Sequence, residues 1–124
     1  MLGNMEKESY LSPGVWQSLN VDVDTNGFGL TQWTPATKFF SWACDNGFLY
    51  HHIDAQLERI LYEVEHPSEQ WSSSKGGMSF ETYTHSTDSA SNLATVFCNG
   101  YERPADPDYS TRSSNATKWY NQLT

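Results

Sequence analysis

Three stretches of this chain repeat their apolar residues every three to four positions, and that spacing constrains its fold more than any other feature. In "DAQLERILYEVE", Leu57, Ile60, Leu61 and Val64 fall at i, i+3, i+4 and i+7, which is one face of a helix. "TDSASNLATVFCN" does the same with Ala90, Leu93, Ala94 and Phe97, and Gly100 follows as a stop. Near the C-terminus the stripe is Ala116, Trp119, Tyr120 and Leu123, with Pro107 at the helix start. A further helix is marked by punctuation: "TPATKFFSWACDNG" offers Thr34 as N-cap, Pro35 at the first helical position and Gly47 as the end. "LGNMEKES", Leu2 to Ser9, also has helical character and runs directly into the turn "YLSPG".

Between that first helix and Thr34 the helical spacing disappears. "VWQSLNVDVDTNGFGLTQW" alternates Val21 with Val23 and carries the turn signal Thr25-Asn26-Gly27. It predicts a short hairpin or β-like excursion. The expected fold class is therefore α+β, mostly helical, with a small β-hairpin lobe. At 124 residues, the length suits a single domain, residues 1–124, with one core.

Composition narrows the partners. Charged residues make up 18% and the net charge is −8, with no basic stripe, so nucleic acid is excluded as a partner. No apolar run is long enough to span a bilayer, so no membrane partner is expected. The first residues do not read as a secretory leader. Aromatic residues reach 15% alongside many Asn, Ser and Thr, a surface suited to carbohydrate or another neutral polar ligand. Cys44 and Cys98 are too few for a disulfide framework and read as free, buried thiols. His51, His52, His66 and His85 do not sit at zinc-ligand spacing, so no metal and no cofactor is expected.

The candidate chemistry is that of a carboxylic acid beside a sugar. Glycoside cleavage needs a protonated carboxyl near the acetal oxygen, with aromatic faces and amide or hydroxyl groups lining the sugar sites. Glu8, ending a helix just ahead of the aromatic lobe, can serve as that acid. On pattern alone, a solvated helix-end carboxylate like Glu6 is the better reading. Gln32 and Trp33 would face it across a cleft, and Gly27 and Gly29 permit close approach of the backbone. Gln32 reads either as a sugar contact or as a buried amide pinning the lobe. Trp33 and Trp16 read either as stacking platforms or as core. Asp22 and Asp24 are candidates for a second carboxylate, or simply polar turn residues. A separation of about 5 Å between paired carboxyls would mean retention, and roughly 6.5–9.5 Å inversion. Trp42 and Trp119 sit on apolar stripes and are assigned to the core.

"LGNMEKES", "SPGVWQ", "GFGLTQWTPA", "LERILYEVE" and "YERPADP" occur in this order from Met1 to about Leu123. In that order they resemble the phage tail lysozyme family, the lysozyme-like domains of tail-knob or tail-tip wall-degrading proteins of short-tailed phages of Gram-positive bacteria. Glu-Ser, then Gly-Leu-x-Gln, then a later Tyr is also similar to the goose-type lysozyme and lytic transglycosylase superfamily. The resemblance implies a lysozyme-like fold and cleavage of the β-1,4 bond between N-acetylmuramic acid and N-acetylglucosamine. It places the catalytic glutamate on Glu8, the groove-lining segment on Gly29, Leu30, Gln32 and Trp33, and a tyrosine that bonds the glutamate or the substrate on Tyr101. With the motifs together, Glu8 is read as the acid. Family members carry a further helical stretch ahead of "LGN", which this chain is expected to lack.

The expected partners are peptidoglycan glycan strands, other phage tail proteins or a further domain of a parent protein, and the expected location is the virion tail, acting on the cell wall. Two other functions fit the same residues. One is a lytic transglycosylase giving 1,6-anhydro products through the same glutamate. The other is a glycan-binding tail module without turnover.

Overall fold

In a computed structural model, which describes residues 1–20 and 23–124, the secondary structure is helical. The helices are α1 (Leu2–Ser9), α2 (Thr37–Asp45), α3 (Ile53–Glu65), α4 (Ser73–Gly76), α5 (Phe80–Thr84), α6 (Ala90–Phe97) and α7 (Tyr109–Leu123). A π-helical turn, Cys98–Glu102, continues directly from α6. The chain divides into two compact units: residues 1–7 with 63–124, and residues 8–62.

The expected α+β class with a hairpin lobe is overturned. Among the described residues there is no strand, and only two isolated antiparallel bridges occur, Trp16 to Phe28 and Phe28 to Trp33. The reason lies in the backbone. Ser18, Leu19, Gly29 and Gln32 all adopt positive φ, and each such residue turns the chain out of the extended path that a ladder needs. The expected turn does form, but as a reversal in which the Asn26 N–H donates to the Val23 carbonyl at 2.8 Å. Val21, half of the expected alternation, lies outside the described residues.

In the unit of residues 8–62, the core is aromatic and irregular. Phe28 is buried and meets Trp16 edge-on at 4.9 Å and Phe40 edge-on at 4.9 Å. Trp33 stacks on Phe39 at 4.8 Å and 17°. Helix α2 begins at Thr37 after Ala36 as N-cap, two residues past the expected cap Thr34. Its end is as expected, with Gly47 in the left-handed region just beyond.

Helix α3 turns only part of its expected stripe inward, with Ile60 buried as the spacing predicts. Leu57 and Leu61 are 43% and 60% exposed, while Gln56 and Arg59 are buried beside Ala55 and Ile60. Apolar spacing marks a helix, but the side that turns inward is decided by what fills the interior. Here a glutamine amide meets backbone groups, and the Arg59 guanidinium lies over the Trp42 and Tyr62 rings at 5.6 and 5.2 Å.

In the other unit the α6 stripe turns inward at Ala94 and Phe97, whereas the α7 stripe does so only at Ala116, with Tyr120 and Leu123 59% and 69% exposed. Phe97 and Ala94 of α6 are fully buried, and Ala116 of α7 is buried with 8% left exposed. Phe97 stacks on Tyr101 at 4.7 Å, and Trp71 stacks almost flat on Phe80 at 4.5 Å and 5°. The π turn brings Gly100 against Trp71, where a Cβ would lie 2.8 Å from the indole. Helix α6 starts on Ser89, whose hydroxyl accepts from the Asn92 N–H, and α7 on Asp108, which accepts from the Thr111 N–H. The short helices α4 and α5 have no apolar period that would mark them in the sequence. Ser79 caps α5 by accepting from the Thr82 N–H at 3.0 Å. Of the two thiols, Cys98 is buried as expected, but Cys44 is exposed, since it sits on the outer side of α2.

Candidate active site around Glu8 and the Gly29–Trp33 segment

Glu8 is the penultimate residue of α1 and is half-buried. Its neighbour Ser9 is buried, and the Ser9 hydroxyl donates to the Leu30 carbonyl at 3.1 Å. This bond ties the end of α1 to the segment Gly29–Gln32. The chain then leaves α1 through Tyr10 and Leu11, both at positive φ. Two consecutive left-handed residues end a helix abruptly, so the carboxylate stands at a sharp corner of the backbone.

The Gly29–Trp33 segment is a closed turn held by its own polar groups. The Gln32 N–H donates to the Gly29 carbonyl at 3.1 Å. The Gln32 side-chain amide donates to the same carbonyl at 2.9 Å and to the Val15 carbonyl at 3.1 Å. Phe28 and Trp33 exchange both backbone hydrogen bonds, at 3.2 and 3.0 Å, and so close the base of the turn. The Thr31 hydroxyl is buried inside it without a hydrogen-bond partner among the described residues.

Gln56 is the residue that sequence reasoning missed. Its side chain is fully buried. The Oε1 accepts from the Leu30 N–H at 2.8 Å, and the Nε2 donates to the carbonyls of Pro13 at 2.6 Å and Tyr50 at 2.9 Å. Gly29 makes room for it: at φ +81°, a Cβ there would lie 2.6 Å from the Gln56 Oε1. A polar residue among the expected stripe of α3 was the available signal, but it reads as solvent-facing when only apolar spacing is followed.

Glu8, Asp24, Gly29, Gln32 and Trp33 thus fall in one unit, residues 8–62. Asp24 is exposed on the reversal before Asn26, and Asp22 lies outside the described residues. Gly29 is buried, Gln32 half-buried, and Trp33 is 2% exposed with its ring on Phe39. Tyr101 belongs to the other unit, where it is buried and its hydroxyl donates to the Glu63 carboxylate. A groove of about 760 Å³ in that unit, lined in part by Tyr83, Leu93, Trp119, Tyr120 and Leu123, contains none of these residues. Trp119, assigned to the core, is half-buried and its indole N–H donates to Glu6 at 2.8 Å.

Among the described residues no group of three or more His, Cys, Asp or Glu is arranged to hold a metal ion. No described helix is long and apolar enough to cross a membrane.

Comparison with known families gives the class of protein to which this helical chain belongs. The family model for phage tail lysozyme matches residues 1–123, and the chain belongs to that family. Among individual proteins it is similar to Morphogenesis protein 1 of Bacillus phage B103, with 48% identity over 124 residues, all of this chain and 33% of that protein. The chain therefore spans about a third of the length of this relative.

Proposed function

We propose that this chain is the wall-cleaving module of a phage tail protein, a muramidase that hydrolyses the β-1,4 bond between N-acetylmuramic acid and N-acetylglucosamine. The observation that carries this reading is the Ser9–Leu30 hydrogen bond, which joins the Glu8 end of α1 to the Gly29–Gln32 turn. In a family of lysozymes, a carboxyl held beside a rigid, amide-rich turn has the parts that glycoside cleavage requires.

In this mechanism the protonated Glu8 carboxyl donates its proton to the glycosidic oxygen. The bond from that oxygen to C1 of the muramic acid breaks, and positive charge develops at C1. Water adds to C1 and gives up a proton to the Glu8 carboxylate, which restores the acid. Asp24, and Asp22 from the sequence alone, are the candidates to stabilise the charge or to activate the water. Gly29 and Gln32 line the glycan through their backbone and amide. Trp33, buried on Phe39, holds the turn that carries the site.

The family supports a tail setting, and the relative's length supports this chain being one part of a larger protein. Delivery by a virion also answers the charge: a −8 protein gains no electrostatic attraction to a wall rich in anionic polymers. Digestion of purified Gram-positive peptidoglycan, with products read by mass spectrometry, tests the reaction. Reducing muramic acid ends are expected. Anhydro ends would make it a transglycosylase, and an absence of fragments would leave a binding module.

A further inference from the structure

We propose that Gln56 is a positioning residue for this cleavage, which sets the Gly29–Gln32 turn against the Glu8 end of α1. The inference rests on the reading of Glu8 as the acid.

The side chain of Gln56 has one acceptor bond and two donor bonds, and all three go to main-chain groups of different segments. These fix which way the amide faces. Turned over, the NH₂ would meet the Leu30 N–H, and the oxygen would meet two carbonyls. The amide is fully buried, so no solvent relieves such a mismatch.

Leu30 is then gripped on both sides. Its N–H goes to Gln56, and its carbonyl accepts from Ser9, the residue after Glu8. Through Pro13 the same amide also holds the chain that leaves α1. Two independent connections therefore run from Gln56 to the neighbourhood of Glu8, one through Leu30 and Ser9, the other through Pro13. A side chain that only filled space would need neither. A shift of about 1 Å between an acid and its substrate costs up to about 100-fold in rate, so losing this grip should act on turnover more than on binding.

The test compares kcat and KM on solubilised peptidoglycan for wild type, Glu8→Gln, Ser9→Ala, Gln56→Met and the Ser9→Ala/Gln56→Met double variant. Each rate is normalised to the folded fraction from circular dichroism. Gln56→Met is expected to lower kcat about 10- to 100-fold with KM within about twofold. The double variant is expected to be little worse than the more damaged single one, because both changes act on Leu30. If Gln56→Met does not fold, Ser9→Ala carries the test with the same split in direction.

Full kcat per folded molecule in Gln56→Met, or in Ser9→Ala where that stands in, overturns the proposal. So do losses that multiply in the double variant. An active wild type with a dead Glu8→Gln and an unaffected Gln56→Met refutes only the role of Gln56. Turnover by Glu8→Gln, or none by wild type, refutes the acid itself and the inference with it.

Discussion

The two compact units of this chain are held together by different means. In residues 63–124 with 1–7, the interior is a set of stacked rings, Trp71 on Phe80 and Phe97 on Tyr101, carried by capped helices. In residues 8–62 the rings are present too, but the segment beside Glu8 is fixed by amides and hydroxyls bonded to backbone. Ring packing is non-directional and tolerates small movements, whereas hydrogen bonds set distances and angles. The difference suggests a division of labour: the first unit supplies stability, and the second supplies geometry.

The largest break should come in the aromatic unit. Phe80 is fully buried among Trp71, Tyr83, Phe97 and Tyr101. Phe80→Ala is expected to cost about 3–5 kcal/mol, seen as a lower midpoint in urea unfolding. Peptidoglycan cleavage per folded molecule should stay near wild type at low temperature. A loss of turnover without a loss of stability would reverse the comparison.

Gln32→Ala is expected to do the opposite. It removes two side-chain donors, worth about 1–2 kcal/mol together, and leaves the ring packing alone. Activity should fall much further than that cost implies, and parallel losses in both measurements would count against a geometric role for the turn.

The smallest effect concerns charge. The Asp108 carboxyl is pulled down to about 2 by its hydrogen bond from Lys7, with Thr111 adding to it. A lowered carboxyl contributes stability above its unfolded pKa of about 3.9, and that contribution disappears as pH falls toward about 2. Asp108→Asn keeps an oxygen for the helix cap and removes the charge. Its melting temperature should therefore fall less steeply than wild type between about pH 4 and pH 2. Parallel curves would show that the Lys7–Asp108 pair contributes nothing.

The same contrast explains what the sequence disclosed. Helices α6 and α7 were legible because repeated apolar spacing is a local signal, although Tyr120 and Leu123 of the α7 stripe stay exposed. The hairpin lobe was not, because Val21 and Val23 mimic alternation, while the left-handed Ser18, Leu19 and Gln32 that break it carry no residue signature. Helix α3 was placed correctly, but its stripe turned inward at Ile60 and not at Leu57 or Leu61, since Gln56 turns inward only when Leu30, Pro13 and Tyr50 arrive from elsewhere in the chain. Glu8 and the Gly-Leu-Thr-Gln-Trp segment were singled out by motif order, a signal that periodicity does not carry.

The central claim is that Glu8 is the acid. The most direct measurement is release of muramic acid reducing ends from peptidoglycan by wild type and Glu8→Gln at equal folded concentration. A drop of at least about 1,000-fold, with an unchanged melting temperature, is the expected result. Glu8→Gln that cleaves at a rate comparable to wild type would contradict it.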